Sequence, residues 1–440
     1  LGLHVGGMVL CRKPLRFFSP VQISANGVKV VQFDKHDVES LGLVKLDVLG
    51  LRMLATLSES VELVNRQVVE KPIDIDSLPL DDKAVYDMIC TGSTVGLFQI
   101  ESQGQIHLLA VNQPRTFDDL TAEIALFRPG PLQGGMVHPF IRRRKGQEPI
   151  IYEHPDLIPT LKDTYGIILF QEQVLEVAHR FAGMSLPEAD DFRSLMSKYR
   201  NPEEMESMRE KFVGGALERG ISQEIANSVF DKVSKFVGYG FCRSHAASFA
   251  RIVYQSAWMR LYHPDAYMAA AMQHRPGMYG LMTLEQEARQ AGVSIIIPDI
   301  NRSMTRYSLL PSSDKWLSVN KPLTSVDEIS AEISRSIVWE RLKGEYRTVE
   351  DLYRRVEIPR SALDKLAKSG TLDSIAVSSR GALWEVGVLA TRIGGSGDSG
   401  RPGLFDLPVV MPPDMPVIPN LTAAERLTWD YQTHHSGRIH

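Results

Sequence analysis

The chain contains 440 residues, carries a formal net charge of −4 at pH 7 and is 43% hydrophobic, which predicts roughly two to four domains with buried cores. The slightly acidic balance excludes a uniformly basic coat for nucleic acid, so binding to a polyanion has to use local basic patches. Three widely separated cysteines exclude a disulfide framework and a paired-cysteine metal site, and no apolar run reaches membrane-spanning length. These features predict a cytoplasmic protein with no membrane partner.

A strand-like region occupies residues 1–62. In its clearest strand Lys45 and Asp47 share one face, while apolar residues such as Val44 and Leu46 share the other. A carboxylate beside a cation suits a metal ligand next to a phosphate contact. A solvated Lys–Asp pair on a half-exposed strand is the alternative, and out of context it is the better explanation.

Helical patterns dominate residues 63–301. Asp74 and Asp76 have the spacing of a two-metal site, but they precede a predicted helix start, so capping is the simpler explanation. Arg193 lies on a predicted helix one turn after Asp190, and an internal salt bridge is its ordinary explanation.

A basic stretch without acids runs from Arg128 to Gln147. A Pro-Gly-Pro turn after Arg128 holds its backbone in a stiff, non-helical conformation. The natural partner of such a stretch is a phosphate backbone, although four successive cations are also typical of a solvated helix end. The cations of this stretch are Arg128, Arg142, Arg143, Arg144 and Lys145.

Residues 238–250 form a predicted flexible turn that opens a helix. We predict Ser244 as the N-cap, with free backbone amides and the positive end of the helix dipole beside Tyr239 and Arg243. A triphosphate fits this description. An ordinary turn before a buried helix is the alternative. Cations and aromatics alternate without an acid from 232 to 264, which favours stacking on bases and neutralising phosphates.

The C-terminal part of the chain contains short helices and a linker. In residues 302–390, the segments 324–340 and 361–375 are predicted as two helix pairs in tandem. Residues 391–420 are rich in glycine and proline and are predicted to form a flexible linker. The last segment, 421–440, ends inside an unfinished pattern, and the first residue is not Met. We therefore expect an internal piece of a longer protein.

Seven sequence motifs, in a fixed order over the first 250 residues, resemble those of the bacterial C-family DNA polymerases, the family of the polymerase III alpha subunit. The motifs occupy residues 4–7, 32–35, 42–51, 98–102, 127–132, 165–173 and 238–250. Further segments resemble the error-prone, damage-response branch more than the replicative branch. These are 137–139, 142–144, 245–249 and 256–258.

The resemblance implies an α+β, mostly α fold. It places the C-terminal part of a polymerase-beta-like palm in 1–62, large helical fingers in 63–301 and a tandem helix-hairpin-helix module in 302–390. The flexible linker then covers 391–420, and 421–440 would begin an OB-type domain.

The resemblance also implies roles in nucleotidyl transfer with two Mg²⁺ ions. Asp47 matches the third palm carboxylate, a catalytic metal ligand, and Lys45 matches the adjacent phosphate-contacting lysine. The fingers positions implicated in binding the incoming nucleotide are matched by Arg193, Tyr239 and His245.

Other matches concern DNA and protein partners. Arg243 joins the basic stretch as a candidate contact to primer–template DNA. The first helix-hairpin-helix has Glu-Ile-Ser at 328–330 in place of a glycine-flanked hairpin, which weakens the expectation of a DNA contact there. In the linker, Leu404 and Phe405 resemble the apolar end of a sliding-clamp-binding peptide.

We therefore expect part of an error-prone DNA-directed DNA polymerase that performs translesion synthesis in DNA repair. Its expected partners are primer–template DNA, deoxynucleoside triphosphates, the sliding clamp and other translesion proteins. Two alternatives stay open, namely the replicative alpha subunit and a non-catalytic remnant that binds DNA or partner proteins. The resemblance places the first two palm carboxylates upstream of Leu1, which implies that this chain alone does not polymerise.

Overall fold

The computed structural model describes residues 6–48, 50–67, 72–127, 135–198, 202–235, 241–393 and 418–434. Four residues with predicted roles lie outside these ranges, namely Arg128, Tyr239, Leu404 and Phe405. The chain divides into two compact units, 1–52 and 53–440, which are described separately. None of the described helices is long and apolar enough to cross a membrane.

The described part of the first unit contains two small antiparallel sheets, one α-helix and a short 3-10 helix at Leu15–Phe17. Its elements are β1 (Gly7–Leu10), β2 (Val21–Ile23), β3 (Lys29–Val31), α1 (Lys35–Ser40) and β4 (Val44–Asp47). Strand β1 pairs with β4, and β2 pairs with β3. Helix α1 begins where it does because the Asp34 carboxylate accepts the amides of His36 and Asp37 at 2.8 and 2.9 Å.

The β1–β4 sheet has an apolar face that is exposed. Met8 lies opposite Leu46, Leu10 lies opposite Val44, and between 45% and 54% of each residue is exposed. The apolar back of the predicted strand therefore exists but is not buried, because a two-stranded sheet has no second layer of its own.

The second unit is mostly helical. Its first thirteen described helices are α2 (Arg52–Asn65), α3 (Lys83–Cys90), α4 (Gln103–Asn112), α5 (Phe117–Leu126), α6 (Val137–Arg144), α7 (Ile158–Leu161), α8 (Gln171–Arg180), α9 (Leu186–Lys198), α10 (Pro202–Glu218), α11 (Gln223–Lys235), α12 (Arg243–Tyr262), α13 (Pro264–His274) and α14 (Leu281–Gln290). The carboxylate of Asp74 caps a short 3-10 turn by accepting the Asp76 amide at 3.1 Å and the Ser77 hydroxyl at 2.5 Å. The capping explanation for Asp74 is confirmed.

Two hydrophobic cores hold these helices together. The first surrounds α12 and α13, where Tyr254 and Tyr267 are fully buried. The second joins α8, α9, α10 and α11 through an aromatic cluster in which the rings of Phe192 and Phe230 lie 5.5 and 5.6 Å from the ring of Phe212. Helices α8 to α11 thus form a core separate from the one that holds α12.

A third core lies under the region predicted as a tandem helix-hairpin-helix. The remaining elements are β5 (Ile295–Ile296), β6 (Ser308–Leu310), β7 (Ser318–Asn320), α15 (Ala331–Arg341), α16 (Val349–Arg355), α17 (Arg360–Lys368), α18 (Ser379–Ile393) and α19 (Ala423–His434). Strand β7 pairs parallel to β5 and antiparallel to β6. The predicted pair 324–340 covers most of α15, and 361–375 covers most of α17. The second helix of each pair lies further along the chain than predicted, because loops of several residues separate the helices.

The described part of segment 421–440 is helical. The Lys365 ammonium on α17 donates to the carbonyl of Gln432 at 2.9 Å, and the amide of Asp327 donates to the carbonyl of Thr433 at 3.0 Å. Helix α19 is therefore attached to the helix-hairpin-helix region. That the segment begins a further domain stays a prediction.

Candidate nucleotide and DNA interface

Lys45 and Asp47 form an ion pair on one face of β4. The register of the sheet places Lys45 opposite Val9 and Asp47 opposite Gly7, so both side chains leave the same face, as alternation predicts. The Lys45 Nζ lies 2.6 Å from Asp47 Oδ1, and 47% of the Asp47 side chain is exposed. A ligand can therefore reach this carboxylate.

Asp47 suits a hard cation but offers only one carboxylate. Carboxylate oxygen is the ligand that Mg²⁺ prefers, and Mg²⁺ is usually held by one or two carboxylates together with waters and substrate phosphates. Within the described ranges, no three His, Cys, Asp or Glu side chains cluster around a common metal position. The residues present thus fit one protein ligand of such an ion.

Helix α12 begins at Arg243, and its N-cap is Cys242 rather than the predicted Ser244. The reason lies in the preceding strand-like residue. Phe241 forms a parallel bridge with Phe170, and the amide of Gln171 donates to the Phe241 carbonyl at 3.0 Å. This bridge fixes the backbone before the helix and sets the point at which the helix turns begin.

A carboxylate accepts the hydrogen bond of the first backbone amide of α12. The Arg243 amide donates to both carboxylate oxygens of Glu172 at 3.0 Å, and the Cys242 thiol lies 3.2 Å from Oε1 of the same group. The first amide of the helix is therefore already bound by a carboxylate. That a triphosphate binds at this helix start stays a prediction. Glu172 lies in the first turn of α8, which the Phe170–Phe241 bridge brings beside the start of α12.

His245 is exposed on the first turn of α12 between two aromatic rings. Its imidazole lies 5.1 Å from the ring of Phe241, nearly perpendicular to it, and 4.3 Å from the ring of Phe249. Such contacts restrict the ring while its edge stays accessible. The structure thus shows His245 as a surface imidazole with a defined orientation.

Arg243, two residues before His245 in the same helical turn, is half exposed. Its guanidinium lies over the ring of Phe170, 5.6 Å from the centroid, a cation–π arrangement. Asp118 and Asp163 lie 3.6 and 3.9 Å away. These are weak exposed pairs, which a phosphate can replace.

Arg193 on α9 pairs with its own helix. Its Nη2 lies 2.8 Å from Oδ1 of Asp190, one turn earlier, and Nε donates to the same oxygen at 2.9 Å. The predicted internal salt bridge is confirmed. A role in nucleotide binding requires the guanidinium to exchange or share this partner.

The cations at the end of α6 divide into surface and internal groups. Arg142 pairs with Glu148 at 3.0 Å and is 55% exposed, and Lys145 is exposed as well. Arg143 is largely buried, where it pairs with Glu148 at 3.2 Å and donates to the Tyr165 carbonyl at 3.1 Å. Of these three, Arg142 and Lys145 are better placed to meet a phosphate backbone.

Arg144 is an internal tether rather than a surface cation. Only 12% of its side chain is exposed, and it pairs with Asp119 at 2.8 Å. It also donates to the carbonyls of Asn112 and Gln113 at the end of α4. The acid-free stretch gives no sign of this partner, because Asp119 lies 25 residues upstream of Arg144.

Three sequence-family models match the chain in consecutive order. The bacterial DNA polymerase III alpha NTPase domain matches residues 1–50, and the bacterial DNA polymerase III alpha subunit finger domain matches residues 53–220. A helix-hairpin-helix motif matches residues 292–382.

Curated proteins similar to nearly the whole chain carry the name error-prone DNA polymerase. The protein from Symbiobacterium thermophilum is 36% identical over 98% of this chain and 43% of its own length. The protein from Mycobacterium tuberculosis strain H37Rv is 39% identical over 92% of this chain and 38% of its own length. The protein from Teredinibacter turnerae is 37% identical over 98% of this chain and 41% of its own length. The chain thus spans about two-fifths of the length of these relatives.

Proposed function

Because the chain belongs to the bacterial C family of DNA polymerases, in the error-prone branch, we propose that it supplies part of the palm, the fingers and the helix-hairpin-helix module of a DNA-directed DNA polymerase. The polymerase adds deoxynucleotides to a primer end and copies damaged templates during DNA repair. The names of the curated relatives favour the error-prone branch over the replicative alpha subunit. The observation that carries the proposal is the start of α12, where Arg243 and His245 are both exposed within the first helical turn.

Asp47 would contribute one ligand to Mg²⁺ in the palm. Bound divalent ions supply charge neutralisation at the reacting phosphate and activation of the primer hydroxyl. Lys45 holds the Asp47 carboxylate by an ion pair of 2.6 Å. Its ammonium also suits a phosphate oxygen of the incoming nucleotide, so Lys45 would bind and orient the triphosphate.

The fingers residues would bind the triphosphate and the DNA. His245, Arg193 and Tyr239 are the proposed nucleotide contacts, and a cation in this position steadies phosphate charge during transfer. The proposed DNA contacts are Arg128, Arg142, Lys145 and Arg243, with Arg143 and Arg144 in supporting positions. Phosphate contacts of this kind position the duplex without reading its sequence.

Protein partners and location complete the proposal. Leu404 and Phe405 would dock on a sliding clamp as an apolar anchor in a linker. Other translesion proteins would be further partners, and the reaction would take place in the cytoplasm, where the DNA lies.

Binding of nucleotide by the chain tests this proposal. We expect the wild-type chain to bind a fluorescent primer–template and, with DNA and Mg²⁺ present, a matching deoxynucleoside triphosphate. His245→Ala should lower nucleotide affinity by about tenfold, since a hydrogen bond to a charged group contributes about 1.5–3 kcal/mol. His107, exposed on α4, provides the matched control His107→Ala. Equal nucleotide affinity of the two variants would contradict the proposed role.

A further inference from the structure

The first turn of α12 is unfavourable by its own sequence. Cys242 at the N-cap makes no side-chain cap bond, and the turn contains no acid. Arg243 and His245 instead place cation-capable groups at the positive end of the helix dipole. A helix start of this kind needs an acceptor from elsewhere in the fold.

Glu172 supplies that acceptor from another helix, 71 residues earlier. Both of its carboxylate oxygens lie 3.0 Å from the Arg243 amide. The contact stands beside the Phe170–Phe241 bridge, so side chain and backbone connect α8 to α12 at the same point. Charge-assisted bonds to backbone amides are among the stronger hydrogen bonds in proteins.

The backbone around Glu172 is itself held in place by the hydrogen bonds of Gln173. The side-chain oxygen of Gln173 accepts the amides of Leu169 and Phe170 at 2.8 and 3.0 Å. Its Nε2 donates to the carbonyl of Thr160 at 3.1 Å and to the hydroxyl of Thr164 at 2.8 Å. Gln173 is buried, so the first turn of α8 is a rigid support.

We propose that Glu172 is a positioning residue that fixes the first turn of α12 on α8 and thereby aims Arg243 and His245 at DNA and nucleotide. The inference rests on the proposed function. It also implies which groups recognise the phosphate. Since a carboxylate already holds the Arg243 amide, the two side chains bind the anion, and this backbone amide does not.

A double variant separates positioning from simple helix capping. Glu172→Ala removes both the cap and the side-chain connection between the helices, and it leaves the Phe170–Phe241 backbone bridge in place. Adding Cys242→Asp supplies a strong local N-cap but does not restore the connection to α8. Glu172→Gln keeps one carbonyl acceptor. Glu176→Ala is the control, since Glu176 lies one turn further along α8 and accepts the Thr160 hydroxyl at 3.0 Å.

We expect Glu172→Ala to lower both the melting temperature and the affinities for nucleotide and primer–template. In Glu172→Ala/Cys242→Asp the melting temperature should recover, while both affinities stay about tenfold below wild type, because small misplacements of binding groups are costly. Glu172→Gln should regain part of the affinity, and Glu176→Ala should bind like wild type.

Two results would overturn the inference. If the double variant regains wild-type affinities together with its melting temperature, Glu172 is only a cap. If Glu172→Ala binds nucleotide and DNA as wild type does, Glu172 does not position Arg243 and His245. A wild-type chain that binds neither nucleotide nor DNA would instead contradict the proposed function, so the two failures are distinct.

Discussion

Glu123 is a buried carboxyl group with incomplete hydrogen bonding. The residue is fully buried, its Oε2 accepts the amide of Asn112, and its Oε1 has no hydrogen-bond partner. Burial raises the pKa of Glu123 to about 8, although the Asn112 bond and the charge of Arg144 act in the opposite direction. The folded protein therefore retains a proton on Glu123 that the unfolded chain releases near pH 4.5.

The sign of the pH dependence follows from this proton. Between about pH 4.5 and 8 the folded state binds more protons at Glu123 than the unfolded state. Its contribution to stability is complete below the unfolded pKa and decreases as the pH rises, by up to about 1.4 kcal/mol per pH unit. Glu123→Gln imitates the protonated group, so its melting temperature should exceed that of wild type increasingly from pH 5 to pH 8.

Thermal unfolding at several pH values measures this difference. Glu62→Gln serves as the control, since Glu62 is exposed and pairs with Arg66, the residue that follows the end of α2. If the melting temperatures of Glu123→Gln and wild type keep a constant difference across this range, Glu123 is ionised in the folded protein and the argument fails.

Residue-scale predictions from the sequence succeeded where the partner is close along the chain. Alternation along a strand placed Lys45 and Asp47 on one face, and helical spacing paired Arg193 with Asp190. The cap at Glu172 was missed because it lies 71 residues before Arg243. Local patterns carry no information about such a distant acceptor.

The hairpin of the first helix-hairpin-helix shows, at the scale of a whole element, another feature that local sequence patterns do not reveal. Its hairpin at 328–330 lacks the family's glycines, yet Glu328 adopts the left-handed conformation, with a φ of 66°. Buried Ile329 and the Ser330 hydroxyl, which accepts the Ile333 amide at 3.1 Å, hold the hairpin in place. The backbone at Glu328 thus keeps a conformation typical of glycine, although the Glu328 Cβ makes this conformation sterically unfavourable.

Glu328→Gly should stabilise this hairpin. Relief of the left-handed strain is opposed by the extra freedom of glycine in the unfolded chain, which leaves a net gain of about 0.5 kcal/mol. Glu328→Gln is the matched variant, because it removes the charge and keeps the strain. Slower amide hydrogen exchange in α15 for Glu328→Gly than for Glu328→Gln is the expected result. Equal exchange would show that the conformation at 328 is not strained.

Helix positions were easier to predict than helix surroundings. The helix after 243 and the capping role of Asp74 follow from local signals and are present in the structure. The cations at the end of α6 were grouped together by sequence, but the fold separates exposed Arg142 from internal Arg144. That separation depends on Asp119 of α5, which no periodicity within α6 can reveal.

For the whole molecule, the proposed site residues divide between the two units. Lys45 and Asp47 belong to residues 1–52, whereas Arg193, Arg243 and His245 belong to residues 53–440. The central claim is that both groups act in one nucleotidyl transfer reaction. Because the chain spans about two-fifths of its curated relatives, this claim is best tested inside a full-length relative.

The most direct measurement is single-nucleotide extension of a primer by a chimaera in which this chain replaces the matching segment of the Symbiobacterium thermophilum protein. We predict Mg²⁺-dependent extension that Asp47→Asn lowers by about 10²-fold or more, with primer–template binding unchanged. Asp37→Asn, in helix α1 of the same unit, should extend the primer like the parent chimaera. A chimaera that binds primer–template without extending it, or that extends it equally well with Asp47→Asn, would contradict the account.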